Sequence, residues 1–449
     1  MSFRGIVKKV IPSGLFKKVE PVGHLCEAVL MQTLAGRPAK NIKVIGVTGT
    51  NGKTSTAFLI HKMMVEAGLK TGLMTTVAYG VNNDIKPQIE HMTSVSPGQL
   101  AKRLKYMRSK NVEWLVLEVT SHALAQHRIW GVPISVAVMT NITHEHLDYH
   151  GTFERYRDAK RMLFKLANKN KKGLRTGIIN GEDPSAGLFS VDVKNHLSYG
   201  IKEGDIRAKH IDLKPSGSRY AATIGKDEYW IKCNLPGTFN VFNSMAAVGV
   251  GRTIGLSKDQ IEKGIEALQG VEGRMTRIDE GQPFDVIVDY AHTPDSFEKL
   301  FKDIKPVVKG KLIVMFGSAG RRDEGKRATQ GQLAGKYADE IVITEEDDRD
   351  IDGQEIMDAI ARGAEKEGKT RDKDMFLVHD RTEAIKFTLE RAKKGDTVLL
   401  LGKGHEKDIL RNGPKATELR HLKQDDYNPD RVKEDPWDEI KTTKTLLKK

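Results

Sequence analysis

The sequence is poor in cysteine and in long apolar runs. Only two cysteines occur in 449 residues, Cys26 and Cys233, and their wide separation excludes a disulfide framework and a cysteine-based zinc site. No apolar stretch reaches the about 18 residues that a transmembrane helix needs. The N-terminus also lacks the continuous apolar core of a signal peptide. Together these features predict a cytoplasmic protein without a transmembrane segment.

The chain has few aromatic residues, 6%, and a marked excess of positive charge, with a formal net charge of +13. The charge favours acidic partners, which include nucleotides, phosphorylated substrates, anionic membranes and nucleic acid. No aromatic RNA-binding motif, zinc-finger spacing or helix-turn-helix pattern occurs, so we expect no nucleic-acid partner. Hydrophobic residues make up 39%, as in ordinary globular proteins. A chain of this length predicts roughly two or three domains.

Residues 1–40 form a short basic segment in which apolar and basic residues interleave over residues 3–18. Such a pattern can lie on a membrane surface. Pro12 and Gly14 would interrupt a single amphipathic helix, so we favour packing against the body of the protein. We expect the chain to be a monomer.

The most informative stretch is an apolar strand followed by a glycine-rich turn, VIGVTGTNGKT. Gly49 and Gly52 allow the backbone to curl so that its N–H groups face a phosphate at the start of a helix. In such turns the lysine, here Lys53, meets the β- and γ-phosphates, and the following Thr54 holds Mg²⁺. The literal Walker pattern has glycine where Val47 stands. A turn without a ligand is the alternative, but it has no use for Lys-Thr, so nucleotide-phosphate binding is favoured.

Two stretches alternate short apolar runs with helical patterns, as in parallel α/β domains. The first extends from residue 43 to about residue 181. A polar alternating stretch at about 206–234 predicts antiparallel strands at the edge of that sheet, and a helix follows at about 239–254. The strand candidates are residues 44–47, 115–118, 136–139, 177–180, 286–288, 312–316, 340–344, 375–378 and 397–401.

We place the domain boundary in the glycine-rich stretch 270–273. The fold class is therefore predicted as α/β, with a P-loop-type, mostly parallel central domain at 41–272. A smaller Rossmann-like α/β domain follows at 273–449, and its tail is polar from about residue 412.

Polar side chains follow two predicted strands of the first domain. Glu118 ends one strand and Thr120 follows two residues later, while the next strand is followed by His144, His146 and His150. Open α/β sheets bind ligands at this carboxyl edge. The histidine spacing matches no common zinc pattern, and phosphate oxygens suit Mg²⁺, so magnesium is favoured over zinc. For His144 and His150 a hydrogen-bonded loop histidine is the simplest interpretation.

Other candidates are weaker when taken singly. Lys160 lies on a predicted helix, where spacing alone indicates a surface lysine that extends its ammonium to water. Asn240 and Asn243 share one helix face and could pair with adenine, with helix capping as the alternative for Asn240. Asp289 closes a strand and could bind ribose hydroxyls. The glycine-rich turn 317–323 carries two arginines, which suit a carboxylate or phosphate or are simply solvated.

In their order, these motifs resemble the Mur ligase family, ATP-dependent acid–amino acid ligases of bacterial cell-wall synthesis, and within it the MurE type. The resemblance covers about residues 42–411. It rests on TGTNGKT at 48–54, EVTSHALAQHR at 118–128, HLDYHG at 146–151, DYAHTPD at 289–295 and GKGHE at 402–406. The family also uses the phosphate turn without the first Walker glycine.

The resemblance implies a carbon–nitrogen ligase of peptidoglycan precursor synthesis, a process on which cell shape and cell division depend. Such an enzyme adds a diamino acid to UDP-N-acetylmuramoyl-L-alanyl-D-glutamate through an acyl phosphate. ATP and two Mg²⁺ ions would be required.

Site residues follow from the matching positions. The resemblance implies that ATP is bound by Gly49, Thr50, Asn51, Gly52, Lys53, Thr54, Asn240, Asn243, Arg274 and Asp289. It implies Thr54, Glu118, His146 and Lys160 as magnesium ligands, with Lys160 as a carbamate formed with CO₂, which replaces the surface-lysine interpretation. The implied catalytic residues are Lys53, Glu118, His146 and Lys160. The acceptor would be held by Thr93, Ser94, Thr120, Gln126 and Arg128, and the amino acid by Arg322, Arg349, Gly402 and Glu406.

Two features differ from the MurE type. Roughly forty residues precede the phosphate turn, where the type has a uridine-binding domain of about a hundred residues, so most of that domain is expected to be missing. The specificity motif for meso-diaminopimelate, Asp-Asn-Pro-Arg, reads EDDR at 346–349. Arg349 would pair with the distal carboxylate, which favours meso-diaminopimelate over lysine.

Two alternative functions remain. One is a polyglutamate-type ligase on the same scaffold with a non-UDP acceptor. The other, from a different class, is a non-catalytic ATP-dependent binding module.

Overall fold

The computed structural model describes residues 13–88, 95–143, 145–214, 216–412 and 432–448. The chain divides into two compact units. The first, here called the central unit, extends to Gln269, apart from a few loop residues that group with the second. The second, the C-terminal unit, begins at Gly270.

The central unit is built on one large sheet. Its strands are β1 (Lys43–Thr48), β2 (Thr71–Met74), β3 (Ala78–Val81), β4 (Asp84–Pro87), β5 (Trp114–Glu118), β6 (Ile134–Met139), β7 (Thr176–Asn180), β8 (Asn195–Gly200), β9 (Ile206–Lys214), β10 (Gly217–Ile224) and β11 (Asp227–Cys233). They are arranged in the order β11-β10-β9-β8-β7-β6-β1-β5-β2-β3-β4. Every neighbouring pair from β9 to β2 is parallel. The β2-β3-β4 edge and the β10-β11 pair are antiparallel.

Helices surround this sheet. They are α1 (Ser13–Leu34), α2 (Lys53–Glu66), α3 (Pro97–Ser109), α4 (Ser121–Ala125), α5 (Leu147–His150), α6 (Phe153–Lys169), α7 (Ala186–Ser190), α8 (Thr238–Thr253) and α9 (Lys258–Glu266). The middle strands β5, β6 and β7 are buried along their whole length. Buried parallel strands of this kind read as unbroken apolar runs, which is why these strands could be predicted.

The C-terminal unit carries a smaller sheet in the order β12-β13-β17-β14-β15-β16. Its strands are β12 (Thr276–Ile278), β13 (Asp285–Asp289), β14 (Leu312–Phe316), β15 (Glu340–Ile343), β16 (Met375–Leu377) and β17 (Thr397–Leu401). Only the β12-β13 pair is antiparallel among these described strands. The helices are α10 (Pro294–Ile304), α11 (Gly325–Tyr337), α12 (Gly353–Glu365) and α13 (Arg381–Arg391), with a 3₁₀ turn at Lys305–Val307.

The polar tail also forms regular structure. Strand β18 (Asp408–Asn412) pairs antiparallel with β19 (Val432–Pro436), and helix α14 (Glu439–Leu447) follows. Trp437 and Ile440 pack against the apolar core of the C-terminal unit. Composition alone did not indicate these elements, because their few apolar residues are interspersed with charged ones.

The predicted fold class, a mostly parallel central α/β sheet followed by a smaller α/β unit, is confirmed. Near the N-terminus, α1 begins at Ser13 and continues through Gly14. The expectation that Gly14 would interrupt a helix is therefore wrong. Most of the 3–18 segment lies outside the described residues. None of the described helices is long and apolar enough to cross a membrane.

Candidate functional site

The phosphate turn connects β1 to α2. Gly49 has φ +149° and Gly52, at the start of α2, has φ +83°. A Cβ on Gly49 would lie 1.8 Å from the hydroxyl oxygen of Thr140, and a Cβ on Gly52 would lie 2.4 Å from Oδ1 of Asn243. Both positions therefore require glycine for conformation and for space.

The turn is held in shape by residues that follow β6. Thr50 N–H donates to the carbonyl of Asn141 at 2.7 Å, and Asn51 N–H donates to the Asn141 side chain at 3.0 Å. Asn141 Nδ2 and the Thr140 hydroxyl both donate to the carbonyl of Asn51, at 3.0 and 2.6 Å. The Lys53 ammonium donates to the carbonyl of Thr50 at 2.7 Å. These hydrogen bonds fix the backbone of the turn, as a preorganised phosphate site requires.

Glu118 ends β5 beside this turn and is buried. Its carboxylate accepts hydrogen bonds from the Thr54 hydroxyl at 3.0 Å and from both the N–H and the hydroxyl of Thr76 at 3.0 Å. Hydroxyl and carboxylate oxygens are the ligands that Mg²⁺ prefers. Thr54 and Glu118 therefore fit a magnesium ion next to the nucleotide phosphates.

Lys160 lies on the buried face of α6 and is only 2% exposed. Its Nζ donates to the carbonyl of Gly49 at 2.6 Å and lies 4.6 Å from the centre of the Tyr156 ring. Burial, assisted by the nearby charge of Lys53, lowers the pKa of Lys160 well below its ordinary value. A lysine with a lowered pKa has a larger neutral, nucleophilic fraction. The surface-lysine interpretation from helical spacing alone is wrong.

His146 lies farther out. It is exposed, with φ +55°, and its Nε2 is 3.7 Å from the Glu145 carboxylate. Its ring is 4.6 Å from that of His122 and 6.3 Å from that of Tyr156. Tyr156 in turn bonds Thr50 and Glu145, so it links His146 to the phosphate turn.

The other two histidines of this stretch have separate outcomes. His150 is buried and bonds the hydroxyl of Ser121 at 3.0 Å, as a hydrogen-bonded histidine would. His144 lies outside the described residues.

Asn240 and Asn243 are both buried in the first turns of α8. Asn243 Nδ2 donates to Oδ1 of Asn240 at 2.8 Å, and Oδ1 of Asn243 accepts from the Thr56 hydroxyl at 3.1 Å. Because α8 begins at Thr238, Asn240 lies inside the helix. Asn243 reaches the phosphate turn at Gly52, so the two carboxamides belong to the same region as Lys53.

Three of the predicted acceptor residues flank α4. Thr120 caps this helix by accepting from the N–H of Ala123 at 3.2 Å. Gln126 is buried, and its Oε1 has no hydrogen-bond partner among the described residues. Arg128 follows two residues later, and its backbone N–H donates to the carbonyl of Ala123. Thr93 and Ser94 lie outside the described residues.

The C-terminal unit contributes its own group of polar side chains. The guanidinium of Arg274 lies 4.4 Å from the centre of the Tyr290 ring. Asp289 accepts from the N–H groups of Met275 and Ala291 at 2.7 and 2.8 Å. Burial raises the pKa of Asp289, although Arg274 acts against this. Burial, together with the charge of Arg274, lowers the pKa of His405 well below its ordinary value.

Gly402 and Glu406 lie in the turn after β17. Gly402 has φ +105°, and a Cβ there would lie 2.8 Å from Oε2 of Glu346. Glu406 accepts from the Tyr290 hydroxyl at 3.1 Å and pairs with Lys403 at 2.6 Å. Lys403 is fully buried and also bonds Asp347 at 2.9 Å. Its burial disfavours the charge, but the Glu406 and Asp347 carboxylates outweigh it and raise the pKa of Lys403.

Arg349 and Arg322 are placed differently. Arg349 is largely buried, has φ +56° and donates from Nη1 to the carbonyl of Gly320. Its Nη2 lies 3.8 Å from the carboxylate of Asp347. Arg322 is exposed. The structure thus brings Arg349, Gly402 and Glu406 into one region through Asp347 and Lys403, but it shows no such link for Arg322 among the described residues.

Several polar residues around these groups were not predicted, namely Thr76, Thr140, Asn141, Tyr156, Tyr290, Glu346, Lys403 and His405. Thr140 and Asn141 directly follow a predicted strand, so their position at the sheet edge was an available signal. Tyr156 lies four residues before Lys160 on the same helix face. Thr76 had no comparable signal because β2 is short.

Comparison with known proteins gives two matching domain families. Residues 47–251 match the family model of the Mur ligase middle domain, and residues 273–404 match that of the Mur ligase glutamate ligase domain.

Two relatives, one named a synthetase and one named a ligase, are each 38% identical to this chain. A UDP-N-acetylmuramyl-tripeptide synthetase of Roseiflexus sp. (strain RS-1) is 38% identical over 87% of this chain and 79% of its own length. A UDP-N-acetylmuramoyl-L-alanyl-D-glutamate–2,6-diaminopimelate ligase of Bacillus velezensis is 38% identical over 84% of this chain and 76% of its own.

A solved structure of another 2,6-diaminopimelate ligase superposes with a TM-score of 0.63 and 28% identity. It covers 96% of this chain and 82% of that one. Mycobacterium tuberculosis folylpolyglutamate synthase shares the fold, with a TM-score of 0.68 at 17% identity over 84% of this chain and 91% of that one.

Proposed function

Since the chain belongs to the Mur ligase family of ATP-dependent carbon–nitrogen ligases, we propose that it joins meso-diaminopimelate, in preference to lysine, to UDP-N-acetylmuramoyl-L-alanyl-D-glutamate. This reaction builds a peptidoglycan precursor. The observation that carries the proposal is the buried Nζ of Lys160, which donates to the phosphate turn near the Thr54–Glu118 pair. Lys53 already supplies the ammonium that meets the phosphates, so a second, buried lysine at the turn is more than nucleotide binding requires.

The chemistry consists of two transfers. The carboxylate of the acceptor attacks the γ-phosphorus of ATP, which releases ADP and leaves an acyl phosphate. The amine of the incoming amino acid then attacks the acyl carbon, phosphate leaves, and the amine loses its proton as the amide forms. Phosphoryl transfer depends mainly on positioning and on neutralisation of charge.

The residues of the central unit supply this positioning. The N–H groups of the turn and the Lys53 ammonium would hold the β- and γ-phosphates, and Asn243 lies at the same turn. Thr54, Glu118, His146 and Lys160 would hold Mg²⁺, which when bound neutralises phosphate charge. The buried Oε1 of Gln126 has no hydrogen-bond partner among the described residues, and it would accept a hydrogen bond from the acceptor.

Lys160 would serve as a carbamate. Its lowered pKa favours the neutral amine, whose nitrogen attacks CO₂ and loses a proton to give an anionic carbamate. This step replaces a buried amine next to Lys53 with an anion that suits a second Mg²⁺.

The C-terminal unit would hold the amino acid and part of the nucleotide. Arg274 and Asp289 would contact ATP, while Arg322, Arg349, Gly402 and Glu406 would contact the diamino acid.

We place the reaction in the cytoplasm, where ATP is available. We also expect the protein to be a monomer, which light scattering can check.

The proposal is tested by measuring ADP and phosphate release with UDP-N-acetylmuramoyl-L-alanyl-D-glutamate and a panel of amino acids. Fastest release with meso-diaminopimelate is expected. Faster release with lysine would reassign the amino acid. Release only with γ-glutamyl acceptors would indicate a polyglutamate-type ligase, and ATP binding without amino-acid-dependent release would indicate a binding module.

A further inference from the structure

Arg381 is a fully buried arginine that the proposed mechanism does not use. It begins helix α13, and its side chain is 0% exposed. Its Nε and Nη2 donate to the two carboxylate oxygens of Glu439 at 2.7 and 2.8 Å, and Glu439 is also 0% exposed. Such a bidentate pair fixes the plane of the guanidinium as well as its charge.

The remaining donors of Arg381 reach two separate parts of the chain. Nη1 donates to the carbonyl of Glu345 at 2.8 Å, and Nη2 donates to the carbonyl of Leu401 at 2.8 Å. Glu345 begins the loop 345–350, which contains Arg349. Leu401 precedes the turn 402–406, which contains Gly402 and Glu406. One guanidinium therefore bonds the starting points of both segments that are proposed to bind the amino acid.

The segment that supplies Glu439 holds the loop 345–350 at other points as well. Arg411 of β18 forms a bidentate pair with the Glu345 carboxylate. Leu410 N–H donates to Asp347 at 2.9 Å, and Arg349 N–H donates to the carbonyl of Leu410 at 2.9 Å. Strand β18 pairs with β19, which leads directly into α14 and Glu439.

Glu439 is the carboxylate that contacts the Arg381 guanidinium directly among the described residues. A buried arginine without its partner carboxylate would be left uncompensated, and the surrounding chain would have to rearrange. Glu439 also lies beyond residues 273–404, the part that matches the family model.

We propose that Arg381 is a positioning residue for the amino-acid site and that Glu439 of α14 holds it in place. The pair fixes the loop 345–350 and the turn 402–406 relative to each other within the C-terminal unit. The identity of the bound molecule as an amino acid rests on the proposed function, whereas the positioning itself rests only on these contacts.

The test uses the full-length protein with Glu439→Gln, which keeps the shape of the side chain but removes its charge. The KM for meso-diaminopimelate is expected to rise roughly tenfold, because small displacements of binding groups are costly, while the KM for ATP changes little. Thr443→Ala is the matched control, since Thr443 is buried on the same helix and its hydroxyl donates to the backbone carbonyl of Glu439. It should lower the melting temperature without changing either KM.

Hydrogen–deuterium exchange of peptides covering 345–350 and 402–406 gives a readout that does not depend on activity. Exchange in both should be faster in Glu439→Gln than in Thr443→Ala. Unchanged exchange, or an equal rise of both KM values, would overturn the positioning role. If wild type releases no ADP with any amino acid, the proposed function fails and the exchange result alone decides the inference. If Glu439→Gln does not fold, Glu439→Asp replaces it, with the same expected direction.

Discussion

Burial gives single residues of this protein properties that their type does not suggest. Lys160 has a lowered pKa because it is enclosed next to Lys53, whereas Lys403 has a raised pKa because two carboxylates surround it. The two lysines are therefore suited to opposite tasks. Lys160 is favoured as a neutral amine, whereas the charged form of Lys403 is stabilised.

Lys160→Ala is expected to lose nearly all turnover, because it removes the nitrogen on which the carbamate would form. Added bicarbonate should raise the activity of wild type in CO₂-depleted buffer and have no effect on the variant. Steady-state ADP release measures both. Lys165→Ala, an exposed lysine on the same helix, is the control and should behave as wild type. A fully active Lys160→Ala variant would rule out the carbamate.

His61 makes stability depend on pH. Burial lowers its pKa from 6.5 to about 4. Between these values the unfolded chain binds a proton that the folded chain does not, so stability falls as pH drops from 6.5 to about 4, by roughly 3 kcal/mol in total. Urea unfolding at pH values across this range should therefore show a smaller decrease in the free energy of unfolding for His61→Gln than for wild type. The control variant His196→Gln changes an exposed histidine and should leave the pH dependence of the free energy of unfolding as in wild type. Equal slopes in wild type and His61→Gln would contradict this.

Among the elements, the turn between β1 and α2 depends on glycine for two reasons that can be separated. Gly52 and Gly68 flank the same helix with φ values of +83° and +84°. A Cβ on Gly52 would approach Asn243, whereas a Cβ on Gly68 would meet nothing within 4 Å.

Gly68→Ala should lower the free energy of unfolding by about 1 kcal/mol, because the left-handed conformation is unfavourable for alanine. It should leave the KM for ATP unchanged. Gly52→Ala should cost more, and it should raise the KM for ATP at least roughly tenfold because the turn must shift. Thermal unfolding and ATP titration of the two variants measure these effects. Equal behaviour of both variants would show that space next to Asn243 does not matter.

The elements also show how far the sequence predicts this protein. The turn and the middle strands were predictable because buried parallel strands are continuous apolar runs, and because the turn needs glycine, lysine and threonine at fixed spacing. Strands β3 and β4 were not predicted, since they are short and β4 is polar. The burial of Lys160 and of Glu439 could not be read from local sequence either, because the partners Gly49 and Arg381 are 111 and 58 residues away in the chain.

At the scale of the whole molecule, the net charge of +13 should act on binding kinetics and affinity. ATP and the UDP-linked acceptor are polyanions, whereas the incoming amino acid carries little net charge. Raising ionic strength from about 0.01 M to about 0.15 M shortens the Debye length from about 30 Å to about 8 Å. The KM values for ATP and acceptor should therefore rise several-fold, and that for meso-diaminopimelate should change much less. Equal salt dependence of all three would contradict this prediction.

The pairing of Arg381 with Glu439 also bears on how the protein is made. Translation delivers Arg381 well before Glu439, so a growing chain carries an arginine whose counter-charge has not yet been synthesised. During this interval the guanidinium that bonds the carbonyl of Glu345 lacks its partner carboxylate. A product that ended before Glu439 would thus keep the phosphate turn but lack the carboxylate that holds Arg381.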